Sequence, residues 1–387
     1  MSHMPMHRGV ATMTLDTGTC PRWLFERMVK LGREMVRVIV AEYGPDEFIR
    51  RMGDPVWFQT LGTVLAFDWN ASGLTTILTA ALKEAIREEE HELGIFICGG
   101  KGKTSRKTPE QILNWGERIG LSEGHANNLV YNSRMSAKVD SALVQDGYQL
   151  YHHAFMFARS GAWCVIQQGM NTTTTSARRY HWSSDQVTDL IEEPHSGIKA
   201  ERLHRTVLDM TSRKSSTNRR TALELVDAGY GAVMKEINLI RRHTSSLSRV
   251  SSWSDRQQQF TWAQFAPVEF KSHPVMFEDF GKSAYLEKVL AQLTDLKPES
   301  YESLVAQKGV GPKTIRALAL VAEVIYGAKP SYEDPARYAF AHGGKDATPY
   351  PVDRSTYDRT IATLRALVAK SRMQVTDKSK VLDRLIY

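Results

Sequence analysis

Seven consecutive residues, Lys308-Gly309-Val310-Gly311-Pro312-Lys313-Thr314, carry the densest chemical signal in this chain. The two glycines permit backbone angles that a side chain forbids, and Pro312 suits the first position of a helix. Amides at such a helix start can donate to a phosphate oxygen, where the helix dipole also favours an anion. Lys313 stands two residues after Gly311. It could contact phosphate as an ammonium, or act as a nucleophile once the positive helix end lowers its pKa. Leu304 supplies an apolar anchor before the turn, and Ile315, Leu318, Ala319, Ala322 and Ile325 continue a stripe after it. The segment therefore predicts a helix-hairpin-helix with Lys308, Gly309, Gly311 and Thr314 as DNA-binding residues. An ordinary packing corner between two helices is the competing reading.

A second basic glycine segment, GGKGKTSRKTP (Gly99 to Pro109), lacks the spacing of a nucleotide-binding P-loop. Lys101, Lys103, Arg106 and Lys107 suit a clamp on nucleic-acid phosphates, or else a solvated loop. Arg178 and Arg179, in ARRYHW, extend the DNA-binding set. Tyr148, Tyr151, Tyr180 and Trp182 offer stacking faces for unpaired bases, or core packing. His152, His153, His181, His195 and Asp209 could converge with Asp140 or Asp146 on a metal, as in a phosphodiesterase. Their spacing matches no standard metal motif, and structural hydrogen bonding serves them equally. No metal ligands are assigned, and no motif implies a cofactor.

The chain has 387 residues, enough for two domains, with 42% hydrophobic and 24% charged residues that mark it as globular. A net charge of +7 favours an anionic partner, with DNA the first expectation. The three cysteines fit no metal or disulfide spacing. No apolar run approaches the ~20 residues of a membrane span, and the start, MSHMPMHRG, shows no apolar signal core. A cytoplasmic, nucleoid-associated protein is expected, and protein partners are left unassigned.

The elements that must position these residues divide near residue 255. Pro21–Tyr43 has an amphipathic spacing of three and four, followed by helical patterns at 45–52, 56–65 and 74–89. A short strand at 94–98 precedes the basic loop, and Thr108-Pro109 reads as a helix start with Thr108 as N-cap. Helix is expected over 123–144, then strands at 148–157, 161–168, 177–182 and 203–210, with a turn at 159–161 and a helix at 185–193. The basic stretch 211–249 reads as helix, and serines at 245–252 mark the boundary. Helices are then expected at 283–294, 300–307, 312–326, 335–341 and 354–370. The fold class is α+β and predominantly helical. A mixed domain with a small antiparallel sheet (1–255) precedes an all-α helix-hairpin-helix domain (256–387).

KGVGPKT is similar to the hairpin of the helix-hairpin-helix DNA glycosylases, the endonuclease III superfamily, whose bifunctional members carry a lysine at this position and a later aspartate. Here those are Lys313 and Asp353, the latter in PYPVDRSTYDRT, 40 positions apart. The resemblance implies that Lys313 attacks the sugar's anomeric carbon to form a Schiff base, while Asp353 stabilises the developing cation. On the residues alone, Asp353 could equally be the N-cap of the following helix. Over most of the chain, PRWLFERMVKLGREMV, GGKGKTSRKTPEQI and SRMSAKVDSALVQDGYQLYHH resemble the uncharacterised prokaryotic family catalogued as domain of unknown function 763. The leading expectation is a bifunctional DNA glycosylase/AP lyase acting on damaged or abasic DNA, double- or single-stranded. A non-catalytic DNA-binding protein and a metal-dependent nuclease sited in the N-terminal domain are the alternatives.

Overall fold

The computed structural model describes residues 20–65, 72–200, 203–204, 206–244 and 283–336, with 362–363, 365–371, 375 and 378–379 near the C-terminus. The chain packs as two units. One comprises residues 1–141, 147–204 and 335–387, and the other 142–146 and 205–334. The boundary expected near residue 255 falls outside the described residues. The two helices before it, α8 (Ser216–Asp227) and α9 (Tyr230–Thr244), belong to the second unit.

The first unit is built on a five-stranded antiparallel sheet in the order β1-β3-β4-β5-β6. Its strands are β1 (Ile95–Lys101), β3 (Gln149–Ala158), β4 (Trp163–Asn171), β5 (Ser176–Ser183) and β6 (Gly197–Ala200). The β3–β4 hairpin turns through Gly161, whose φ of +98° favours glycine. On one sheet face, Ile95, Ile97, Met156, Cys164 and Ile166 share an apolar core with helices α1 (Arg22–Tyr43), α2 (Pro45–Gly53), α3 (Pro55–Val64) and α4 (Gly73–Ala85). Leu367 and Val368, near the C-terminus, join that core. A four-residue helix, α5 (Glu90–Leu93), leads into β1. The opposite sheet face carries α6 (Thr108–Arg118), where Trp115 packs on Phe96 at 4.9 Å, and α7 (Glu123–Ala142), whose Asp140 bonds to side chains of β4 and β5. With both faces covered, β5 is buried along its whole length.

The second unit pairs β2 (Val144–Gln145) with β7 (Leu208–Asp209) and packs α8 and α9 with α10 (Ala284–Leu296), α11 (Tyr301–Ala306) and α12 (Pro312–Tyr326). Serine hydroxyls open two of these helices, Ser283 accepting from Leu286 N and Ser300 from Ser303 N. Val289, Leu290, Leu293, Leu304, Ile315 and Leu318 are buried at its centre. Asn218 of α8 donates to the carbonyls of Ala319 (2.9 Å) and Ala328 (2.6 Å), tying α8 to α12.

Several expectations change. The helix expected at 185–193 is a run of turns, because Asp189 accepts from Ile191 N and Glu192 N and competes with helical bonding. The long helix of 211–249 is two helices, separated at Gly229 with φ +95°. Among the described residues of the strand expected at 203–210, Leu208 and Asp209 form the strand, and they pair with β2 in the second unit. The sheet's fifth strand is β6 instead. No described helix is long and apolar enough to cross a membrane.

Candidate functional site

The α11–α12 connection is a short turn closed by Gln307 N to Leu304 O (3.2 Å) and Val310 N to Gln307 O (3.3 Å). Gly309 has φ +93°, and a Cβ there would meet Val289 Cγ2 at 3.1 Å and the Tyr285 hydroxyl at 3.3 Å. Glycine is therefore required at 309 by the fold itself. Gly311 differs. Its φ of −147° is extended backbone open to any residue, and an added Cβ would meet nothing within 4 Å. No side chain caps α12, and Gln145 Nε2 donates to Pro312 O at 3.0 Å, which pins the helix start to β2. Lys308 and Lys313 are exposed on either side of this start and form no ion pair among the described residues. Thr314, expected among the DNA-binding residues, is 2% exposed, so its side chain is not available for a surface contact. Asp353 lies outside the described residues, and with it the pairing expected with Lys313.

The basic loop of the first unit is equally specific in build. Gly99 has φ +83°, and a Cβ there would fall 2.2 Å from His153 O and 2.5 Å from Thr108 Oγ1. Its amide donates to Gln111 Oε1 (2.8 Å), and Lys83 Nζ reaches both Gly99 O and Gln111 Oε1 at 3.1 Å. Burial lowers the Lys83 pKa. Residues 102–107 then form a 3-10 turn held by Ser105 Oγ to Gly102 O (2.6 Å). Thr108 is the first helical residue rather than the expected N-cap, and its hydroxyl donates back to Ser105 O. Lys101, Lys103, Arg106 and Lys107 are all exposed and form no ion pair among the described residues.

Arg178 and Arg179 are 0% and 1% exposed, so the surface DNA contacts expected of them are not there. Adjacent on β5, they point to opposite sheet faces, and helices cover both. The Arg178 guanidinium lies over Tyr148 at 4.9 Å and that of Arg179 over Phe58 at 4.6 Å. Tyr148, Tyr180 and Trp182 are likewise buried and pack the interior.

The histidines and acids considered for a metal separate along the same alternation. His152 faces α4, its Nε2 3.1 Å from Thr79 Oγ1. His153 faces α7 in a continuous hydrogen-bonded chain. Three N–H groups converge on buried Asp140: Gln167 Nε2 (2.5 Å), His195 Nε2 (2.5 Å) and Trp182 Nε1 (3.2 Å). Gln167 then has only Oε1 left, which accepts from His153 Nδ1 (2.9 Å). His153 Nε2 is thereby the acceptor for the Ser133 hydroxyl (2.9 Å). Burial pulls His153 down to about 4 and His152 to about 3, and pushes the Asp140 carboxyl up. Asp209 sits in the second unit and accepts from Thr211 N and Oγ1. Among the described residues, no three His, Cys, Asp or Glu side chains gather as metal ligands would. Sequence reasoning missed Ser133 and Gln167; the pair Gln167-Gln168 inside an apolar strand is the signal that marks them.

A family model described as "Protein of unknown function (DUF763)" matches residues 9–352, a span that includes the α11–α12 turn. No curated protein and no solved structure matches the chain.

Proposed function

The chain belongs to this DUF763 family, whose description states no activity, and we propose from the geometry that it is a DNA-binding protein. In this reading α11, the turn and α12 are a helix-hairpin-helix that holds the phosphodiester backbone. The observation that carries it is the contrast between the two glycines. Gly309 is explained by its own φ, whereas at Gly311 neither the backbone nor any neighbour demands the missing side chain. A phosphate approaching the uncapped start of α12 supplies that demand, with Lys308 and Lys313 flanking it. The net charge of +7 favours a polyanion, and the exposed basic loop at 101–107 is a further cationic segment suited to one. The test is fluorescence anisotropy of the full chain on a labelled duplex at low salt. Lys308→Ala and Lys313→Ala each weaken binding under this reading, and full-strength binding by both variants refutes it.

A second reading, glycosylase/AP lyase chemistry, is favoured by the exposure of the Lys313 amine on the first turn of α12. An exposed amine there can reach a sugar carbon once the backbone is seated. Borohydride trapping on abasic-site DNA tests it. A covalent adduct that vanishes in Lys313→Ala supports the lyase, and DNA binding with no adduct leaves the non-catalytic reading standing.

A further inference from the structure

One row of register partners crosses the whole sheet of the first unit: Lys101, His152, Gln168, Arg179 and Lys199, on β1, β3, β4, β5 and β6 in turn. All five are polar, and all but Lys101 are buried. They share the sheet face covered by α3 and α4. Arg179 and Lys199 are direct cross-strand partners, and both donate to one oxygen, Gln59 Oε1, each at 2.9 Å. Like charges placed opposite each other on neighbouring strands repel, and burial strengthens the repulsion. No carboxylate pairs with Arg179, whose other side-chain bond is a 3.5 Å contact to Thr75 Oγ1. Three buried polar atoms of this row have no hydrogen-bond partner: Arg179 Nε, His152 Nδ1 and Gln168 Oε1. Native interiors leave few such atoms, and a cluster of them calls for a partner that the protein's own side chains do not supply.

We propose that this row is a binding site for a small oxyanion, a phosphate group either free or carried as an ester, enclosed between β3–β6 and helices α3 and α4. A buried guanidinium with unused donors is the side chain best matched to phosphate, and its Cζ lies over the Phe58 ring at 4.6 Å. Gln168 Oε1 is an acceptor, which the P–OH of a monoprotonated phosphate satisfies. Burial draws Arg179 down to about 9 and holds Lys199 well below its ordinary value, and a bound anion would oppose both shifts. With Arg179 at 1% exposure, the ligand is small and enclosed, so this site is separate from the proposed grip on a polymer backbone.

The test titrates the full chain with inorganic phosphate, and in parallel with glycerol phosphate, against chloride at matched ionic strength. Thermal midpoint and phosphorus-31 line width are read. The expected result is a saturable rise in midpoint, removed by Arg179→Met. That variant loses a buried cation facing another, so it should melt no lower than the parent when phosphate is absent. Arg179→Lys keeps the charge without the fork and reports even if the Met variant fails to fold, with phosphate binding weakened at least tenfold. The tighter of the two probes identifies a free phosphate or an ester as the ligand. Phosphate also stabilises proteins by exclusion from their surfaces. A rise that is linear and equal in the variants, or no saturable binding of either probe, overturns the proposal.

Discussion

Replacing Gly311 with serine should move stability and DNA affinity in opposite directions. The backbone at 311, φ −147° and ψ −171°, already has the extended geometry of a helix N-cap, and the space around a new Cβ is clear. A serine hydroxyl there accepts from an amide of the first turn, an improvement over glycine of a few tenths of a kcal/mol. The thermal midpoint should therefore hold or rise by about one degree. The same hydroxyl occupies the amides proposed to face phosphate, and the side chain blocks close approach. Losing one charge-assisted hydrogen bond of about 1.5–3 kcal/mol weakens duplex binding by about tenfold to a hundredfold. Paired melting curves and anisotropy titrations on Gly311→Ser read both effects. Undiminished affinity in a stably folded variant would refute the idea that this glycine makes room for a backbone. A large drop in midpoint would instead show that the fold requires the glycine.

Three further outcomes follow from the first unit. Gly99→Ala should cost more than about 3 kcal/mol, since its Cβ would overlap His153 O, whereas Gly102→Ala, at φ +59° in open space, should cost about 1–2 kcal/mol by urea unfolding. Asp140→Asn leaves converging N–H groups without a carboxylate and should lower stability by about 3 kcal/mol in the same assay. Acid should destabilise the chain through His152 and His153. Both have folded pKa values held down by burial, so the unfolded chain takes up protons first as pH falls through the ordinary value of 6.5. Their stability is complete above that value and drains away below it, by about 2 kcal/mol per histidine from pH 7 to pH 5. Asp140, raised by burial, works in the opposite sense. His153→Gln should therefore flatten the pH dependence of the urea midpoint, and an unchanged slope would show that this histidine is not held neutral.

Much of the helical frame was legible because its signals are local. The spacing of Met28, Met35 and Ile39 marks α1, and all three are buried. Ser283 and Ser300 announce the starts of α10 and α11, and Gly-Val-Gly-Pro announces the turn into α12. The sheet was harder, because its order depends on pairings distant in sequence and β6 has only four residues. Both sheet faces are covered, so Arg178 and Arg179 looked like surface charge when each is the interior residue of a different face. The polar row from His152 to Lys199 emerges only once five strands are in register. Asp189 and Gly229 overrode helical pattern through one side-chain turn and one positive φ. The pairing of Lys313 with Asp353 rested on resemblance, and Asp353 falls outside the described residues.

The dependence of duplex affinity on salt tests the proposed grip most directly. Each phosphate neutralised by a lysine contributes about −0.9 to the slope of log K against log salt. If Lys308 and Lys313 hold backbone phosphates beside α12, the doubly substituted Lys308→Ala, Lys313→Ala chain binds more weakly with a slope shallower by about 2. An unchanged slope, or no salt-sensitive binding by the unaltered chain, contradicts it.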